Sequence, residues 1–248
     1  MFLQLARTLD MHRLILLGTG LCAQPGGPNT RQITSVKRLR TFCHSVKGHW
    51  GRRKALQALK YVEDGARSEP EAMLFLFLRL PHRLGGFAVD GAVYNHQIWV
   101  RGRAFFADIC FPEERVIVEY NSHAFHASQG EAKRIADLER KRLLEAAGWT
   151  VIIIETDDLY DLVNFRLKIR EIARALGRRI RIRSSRFQTL FSRLRDLLPR
   201  RTDTRTIGSW RRQNQAEITE FCQAFRVPRP RPVNTLGYRV RLSRTRAP

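Results

Sequence analysis

Cysteine is scarce in this chain, and no two cysteines form a C-x-x-C pair. Cys22, Cys43, Cys110 and Cys222 are the only four, widely spaced. That spacing excludes the common zinc modules and gives no disulfide framework, so free thiols in the cytoplasm are the expected state. Long apolar runs are also missing. The stretch Leu14 to Leu21, with Arg13 in front, imitates a signal peptide, but Arg7 and Asp10 precede it. It is far shorter than the ~20 residues needed to span a bilayer, so no membrane partner is expected. Acidic residues are few, 23 against 45 Lys and Arg, which leaves a net charge of +22. The lack of lysine is sharpest at the end: from Arg178 onward there are 19 Arg, no Lys and 4 acids, a net +15. Such a balance points to a polyanionic partner, because bound cations release counterions from phosphates. A basic ribosome-associated protein has the same composition, and charge alone says nothing of fold.

What is present divides into three parts. Residues 1–64 hold the apolar stretch, a Pro/Gly turn at 24–28 and a helical pattern over 52–63, where Ala55, Leu56, Ala58, Leu59 and Val62 recur at helical spacing. Residues 65–177 are densely patterned. Residues 178–248 lose periodicity and gain Arg and Pro, as in Pro228-Arg229-Pro230-Arg231-Pro232, and read as a partly flexible extension.

Within the middle part the order of elements is legible. Ser68 to Leu80 is a helix with apolar residues on all sides, hence buried. Gln97 to Arg101, Phe105 to Phe111 and Val116 to Tyr120 read as strands, the last two joined by the turn 112–115. Gln129 to Ala147 is an amphipathic helix stopped by Gly148. Thr150 to Glu155 is a buried strand, and Asp157 to Leu176 is one further helix. Helix, three strands, helix, strand, helix predicts an α/β fold with a mixed sheet and helices on its faces.

The hairpin around 112–115 carries two acids. A symmetric hairpin sets Phe111 against Val116, which brings Asp108 opposite Glu119 on one sheet face. Opposed carboxylates repel unless something compensates them, and a divalent cation with a preference for oxygen ligands, Mg²⁺ or Mn²⁺, does so. Asn121, two residues beyond Glu119, shares that face. The alternative is a pair of acids solvated on the outer face, or a register slipped by one residue.

The ordered set Ala107-Asp108-Ile109, Val116-Ile117-Val118-Glu119-Tyr120-Asn121-Ser122 and Phe125-His126, with Ser68 and Glu71 upstream and Asp137 and Gly148-Trp149 downstream, resembles the PD-(D/E)XK nuclease superfamily. Within it, the closest likeness is to a bacterial branch related to very-short-patch-repair endonucleases. The likeness covers about residues 65–160. The stretches Phe2 to Ala6 and Leu17 to Cys22 are similar to the region ahead of the nuclease-like part in longer relatives, of which residues 1–64 would be a remnant.

The resemblance implies a restriction-endonuclease-like core and a metal-dependent endonuclease acting on DNA. Asp108 would bridge metal and scissile phosphate, while Glu119, the Tyr120 backbone carbonyl and Asn121 would complete the metal's ligands. Glu71 would be a supporting acid, although Ser68-x-x-Glu71 is equally a capping box. His126 would assist the phosphate or the attacking water. Asp137 would support the site from its helix. Arg134 and Lys141, on the same helix face, would be supporting cations, or members of an ordinary salt-bridged surface. The branch usually has Asp at position 121, and the superfamily's usual Lys there is absent too. Asn keeps an oxygen but loses a charge, which leaves open a catalytically weak fold kept as a DNA-binding or regulatory module of defence or toxin–antitoxin type. Outside the resemblance, Arg178, Arg179, Arg181 and Arg183 alternate with apolar residues. On a strand they would form a cationic face suited to a phosphate backbone, or an edge protected from aggregation.

Overall fold

The computed structural model describes residues 1–25, 27, 30–121, 131–182, 184–199 and 223, and the side chains of all of these except 131–134. Four helices come first: α1 (Phe2–Leu5), α2 (Met11–Leu21), α3 (Val36–Ser45) and α4 (Arg52–Ala58). Then follow α5 (Glu69–Arg79), strands β1 (Val93–Val100), β2 (Arg103–Phe111) and β3 (Val116–Asn121), helix α6 (Glu131–Ala146), strand β4 (Thr150–Glu155), and helices α7 (Thr156–Tyr160), α8 (Leu162–Ala175) and α9 (Phe187–Arg195).

The four strands lie in the order β1-β2-β3-β4. The first three are antiparallel neighbours, and β4 runs parallel to β3. A parallel neighbour requires a crossover, which α6 supplies. Strand alternation gives the sheet two apolar faces. Ile109, Phe111, Val116, Val118, Ile152 and Ile154 enter the main core, while Cys110, Ile117 and Val151 meet Leu144 of α6 on the other side. This is the mixed, helix-flanked α/β sheet expected from the pattern.

Helix α5 explains its own all-round apolarity: every residue from Ala72 to Leu78 is buried. Its first turn is capped by Ser68, whose hydroxyl accepts the Glu71 N–H at 3.3 Å. The short apolar stretch near the start forms α2, with Leu14, Ile15 and Gly18 buried in the core that α5 also enters.

Several boundaries differ from expectation. The helix expected over 52–63 stops at Ala58, after which the chain turns while still burying Leu59 and Val62. Strand β1 begins at Val93 rather than Gln97, because all of it pairs with β2. The helix expected over 157–176 is two helices: Asp161 accepts the Asn164 N–H at 2.8 Å and so starts α8 afresh. Helix α9 was not anticipated at all. Phe187, Phe191 and Leu194 nevertheless sit at helical spacing, and all three are buried in the main core. The distant turn at 82–85 packs so closely against this helix that no side chain fits there: a Cβ on Gly85 (φ +79°) would lie 2.5 Å from a Leu190 backbone carbon.

Candidate active site

The hairpin register is the expected one, with Phe111 against Val116 and Ile109 against Val118. The ladder ends at that second pair, and Asp108 and Glu119 are the next residue on each strand beyond it. Asp108 Oδ2 accepts the Tyr120 N–H at 3.1 Å, so the carboxylate is tied to the neighbouring strand. In an extended strand the carbonyl of a residue leaves on the same edge as its N–H, which turns the Tyr120 carbonyl toward the Asp108 side. The Tyr120 hydroxyl lies 3.2 Å from Thr156 Oγ1 at the start of α7.

Glu71 enters this cluster from the first turn of α5. Burial pushes its carboxyl up to about 7, and the charge of Asp108 pushes the same way. The Ser68 hydroxyl and the Arg67 guanidinium oppose them. Burial likewise raises Glu119 to about 7; Arg140 opposes this, whereas the charges of Asp108 and Asp137 add to it. Asp108 is raised as well, first by burial, against the Tyr120 N–H and the cations Arg67 and Arg140. Asp108 of β2 therefore raises both Glu71 of α5 and Glu119 of β3, as a like charge in a partly buried site does.

Arg140 of α6 is the main cation. Its Nη1 donates to Glu119 Oε2 at 3.0 Å, and its Nη2 lies 2.7 Å from Oε1 while donating to the Phe106 carbonyl at 2.6 Å. Arg67 sits over the Phe106 ring, 5.8 Å from its centroid. The cluster is incompletely satisfied: Glu71 Oε2 and the Tyr94 hydroxyl are buried without a hydrogen-bond partner, and Glu119 Oε1 has only its ion-pair contact with Arg140. Burial also raises the Tyr94 phenol, with Glu71 and Asp108 next.

The remaining expected residues are dispersed. Asn121 ends β3 and stands in register with Glu155. Asp137 is exposed on α6, near enough for its charge to bear on Glu119. Lys141 pairs with Glu145 at 3.8 Å on the helix surface. His126, the Arg134 side chain and Arg183 lie outside the described residues.

The Arg-rich segment is not the strand imagined for it, since no ladder includes residues 178–182. Its alternation survives without one. Arg179 and Arg181 are exposed and Ile182 is buried, whereas Arg178 is held by an ion pair with Glu114 and by the Asp90 carbonyl. Arg178, Arg179 and Arg181 line a cleft of about 470 Å³ together with Phe87 and Leu176. Glu114 belongs to the 112–115 turn, so the cleft lies at the opposite end of the hairpin from Asn121.

Arg67, Tyr94 and Arg140 were missed in the sequence. Arg140 left a signal: Leu144, the buried residue of α6, lies four positions on, and a cation in line with an apolar stripe faces inward. Arg67 and Tyr94 left none, because both reach the site through tertiary packing.

Among the described residues, no three His, Cys, Asp or Glu side chains are grouped closely enough to form a metal site by themselves. The donors that do converge are carboxylate oxygens, among them a buried Glu71 Oε2 without a partner, and a hard divalent cation suits that chemistry. No helix among the described residues is long and apolar enough to cross a membrane. Compared with protein-family models, curated proteins and solved structures, the chain finds no match.

Proposed function

We propose that this protein is a divalent-metal-dependent nuclease that hydrolyses DNA phosphodiester bonds. The reading rests above all on one observation: Glu71, Asp108 and Glu119 come from three separate elements into one half-buried cluster that leaves a Glu71 carboxylate oxygen without a partner. A structural role asks for satisfied groups, whereas a ligand site leaves valences open. The element order from α5 to α8, with β4 parallel to β3, supports a restriction-endonuclease-like core of PD-(D/E)XK type.

In this reading Asp108, Glu119 and the Tyr120 carbonyl would hold Mg²⁺ or Mn²⁺. When bound, the ion would polarise the phosphate and acidify an attacking water. The chain's own groups do the rest. The Tyr120 N–H fixes the Asp108 carboxylate. Glu71, with a pKa of about 7, takes or gives a proton near neutrality. Arg67 and Arg140 bring positive charge to the place where phosphate charge develops. The basic excess of the chain draws in the polyanion.

A second reading has its own observation. Arg140 already neutralises Glu119, and Asn121 stands where an acid is usual in the similar branch. A fold so arranged would bind DNA and cleave it weakly or not at all.

A plasmid-nicking assay at low salt, with Mg²⁺, Mn²⁺ or EDTA, separates the two. Metal-dependent nicking that disappears in Asp108→Ala is the expected result. DNA binding without nicking, unaltered in Asp108→Ala, would leave the second reading.

A further inference from the structure

Past the acid cluster, the sheet continues as a two-stranded ribbon. Strands β1 and β2 pair down to Val100 and Arg103, while the pairing of β2 with β3 extends only from Phe111 to Ile109. Among the described residues, the segment 103–107 is laddered to β1 alone. The ribbon reverses through Arg101 (φ +49°) and Gly102 (φ +73°). Two left-handed residues in succession form the turn whose twist matches that of paired strands. Glycine adopts that conformation readily, whereas at position 101 an arginine bears its cost, so a cation stands at the outermost point of the ribbon.

One face of this ribbon runs straight from the acids. Ala104 and Phe106 alternate with Asp108 on the same side of β2. Trp99 stands directly opposite Ala104, and Gln97 opposite Phe106. Trp99 is 67% exposed. A single exposed apolar side chain is ordinary, but this one ends a track that begins at Asp108 and passes the Phe106 ring beneath Arg67. Four residues separate Ala104 from Asp108, or ~14 Å at about 3.4 Å per residue. An extended strand a few nucleotides long covers that distance. Arg103 lies over the Phe105 ring, 5.7 Å from its centroid, which keeps a second cation near the tip.

We propose that the β1–β2 ribbon is a single-strand-binding arm, in which Trp99 stacks on an unpaired nucleobase while Arg101, at the tip, holds a flanking phosphate. An indole together with guanidinium groups is the chemistry that grips single strands without reading sequence. Duplex bases are already stacked on one another and offer an indole lying on a strand face no open surface. What the arm delivers its strand to rests on the nuclease reading; the binding itself does not.

The test is binding to the full chain in EDTA, read by fluorescence anisotropy with labelled oligo(dT) and with a blunt duplex of equal length. Trp99→Ala is expected to weaken oligo(dT) binding about tenfold, with Trp99→Phe restoring most of it and duplex affinity unchanged. Arg101→Gln is expected to flatten the salt dependence of oligo(dT) binding by about 0.7 in logarithmic slope. Thermal melting of each variant confirms that the exposed substitutions leave the fold intact. Equal losses for both nucleic acids, a loss for duplex alone, or no loss in Trp99→Ala overturns the arm. Because EDTA silences metal chemistry, an inactive nicking assay alongside a Trp99-dependent oligo(dT) signal would remove the enzyme and leave the arm standing.

Discussion

Two of the places where the described residues bury charge are finished differently. Arg195 of α9 is only 4% exposed. Its Nη1 and Nη2 donate to the carbonyls of Leu159 and Tyr160 at 3.2 and 2.7 Å, so it closes the open end of α7. Its guanidinium also lies 5.4 to 5.9 Å from the ring centroids of Phe165, Phe191 and Phe77. This cation is fully enclosed by groups that suit it. The cluster of Glu71, Asp108 and Glu119 is the reverse: like charges are gathered, only Glu119 has a cation in direct contact, and Glu71 Oε2 and the Tyr94 phenol are left without partners. A satisfied buried charge holds elements together. An unsatisfied one destabilises the empty fold and is retained for what it binds.

That contrast makes opposite predictions for the two sites. Asp108→Ala is expected to reduce metal-dependent nicking on the order of a thousandfold, with melting temperature unchanged or higher. Arg195→Met is expected to do the converse: a loss of about 3 kcal/mol, or ~10 °C in melting temperature, with nicking per folded molecule preserved. Calorimetry and the nicking assay on both variants are the check. A collapse of the fold in Asp108→Ala, or a folded but inactive Arg195→Met, would break the comparison.

The pH dependence of stability sharpens it. Glu71 has its pKa raised from 4.5 to about 7 in the folded chain. A raised value means that the folded state holds the proton more tightly than the unfolded one. Its favourable contribution is therefore complete below the unfolded value and is lost as pH climbs through about 7. Glu71→Gln, which cannot ionise, should match the native chain near pH 4. At pH 8 in EDTA it should be the more stable of the two, by about 1–3 kcal/mol. Melting curves across that window decide the matter. A variant less stable at pH 8 would mean that the Glu71 carboxylate is needed by the helix cap rather than tolerated by the site.

How much of this was legible in the sequence follows from physical range. Strand β4 was clear because β-branched apolar residues fill it, and the Phe111–Val116 pairing because a short hairpin fixes its own register. The break at Asp161 was hidden because an N-cap needs only one side chain, and the apolar period runs on across it. Helix α9 was obscured by arginine: its Phe187, Phe191 and Leu194 stripe was overshadowed by the surrounding charge. Arg67 and Tyr94 were beyond reach, since no local pattern says which distant residues will face a given acid.

Arg140 belongs to neither type of charge, and it yields the smallest and most informative effect. It is half-satisfied, bonded to Glu119 on one side and to the Phe106 carbonyl on the other. If it occupies a place that a metal would take, Arg140→Gln should tighten Mn²⁺ binding about three- to tenfold at pH 9, well above the value of about 7 to which burial raises Glu119. At pH 6.5 the sign should reverse. The guanidinium is what holds the Glu119 carboxyl down against burial, and without it a proton competes more strongly with the metal. Calorimetric Mn²⁺ titrations at the two pH values read both arms. Weaker binding at both would mean that Arg140 shapes the site instead of competing for it, and would place this cation beside Arg195 as part of the architecture.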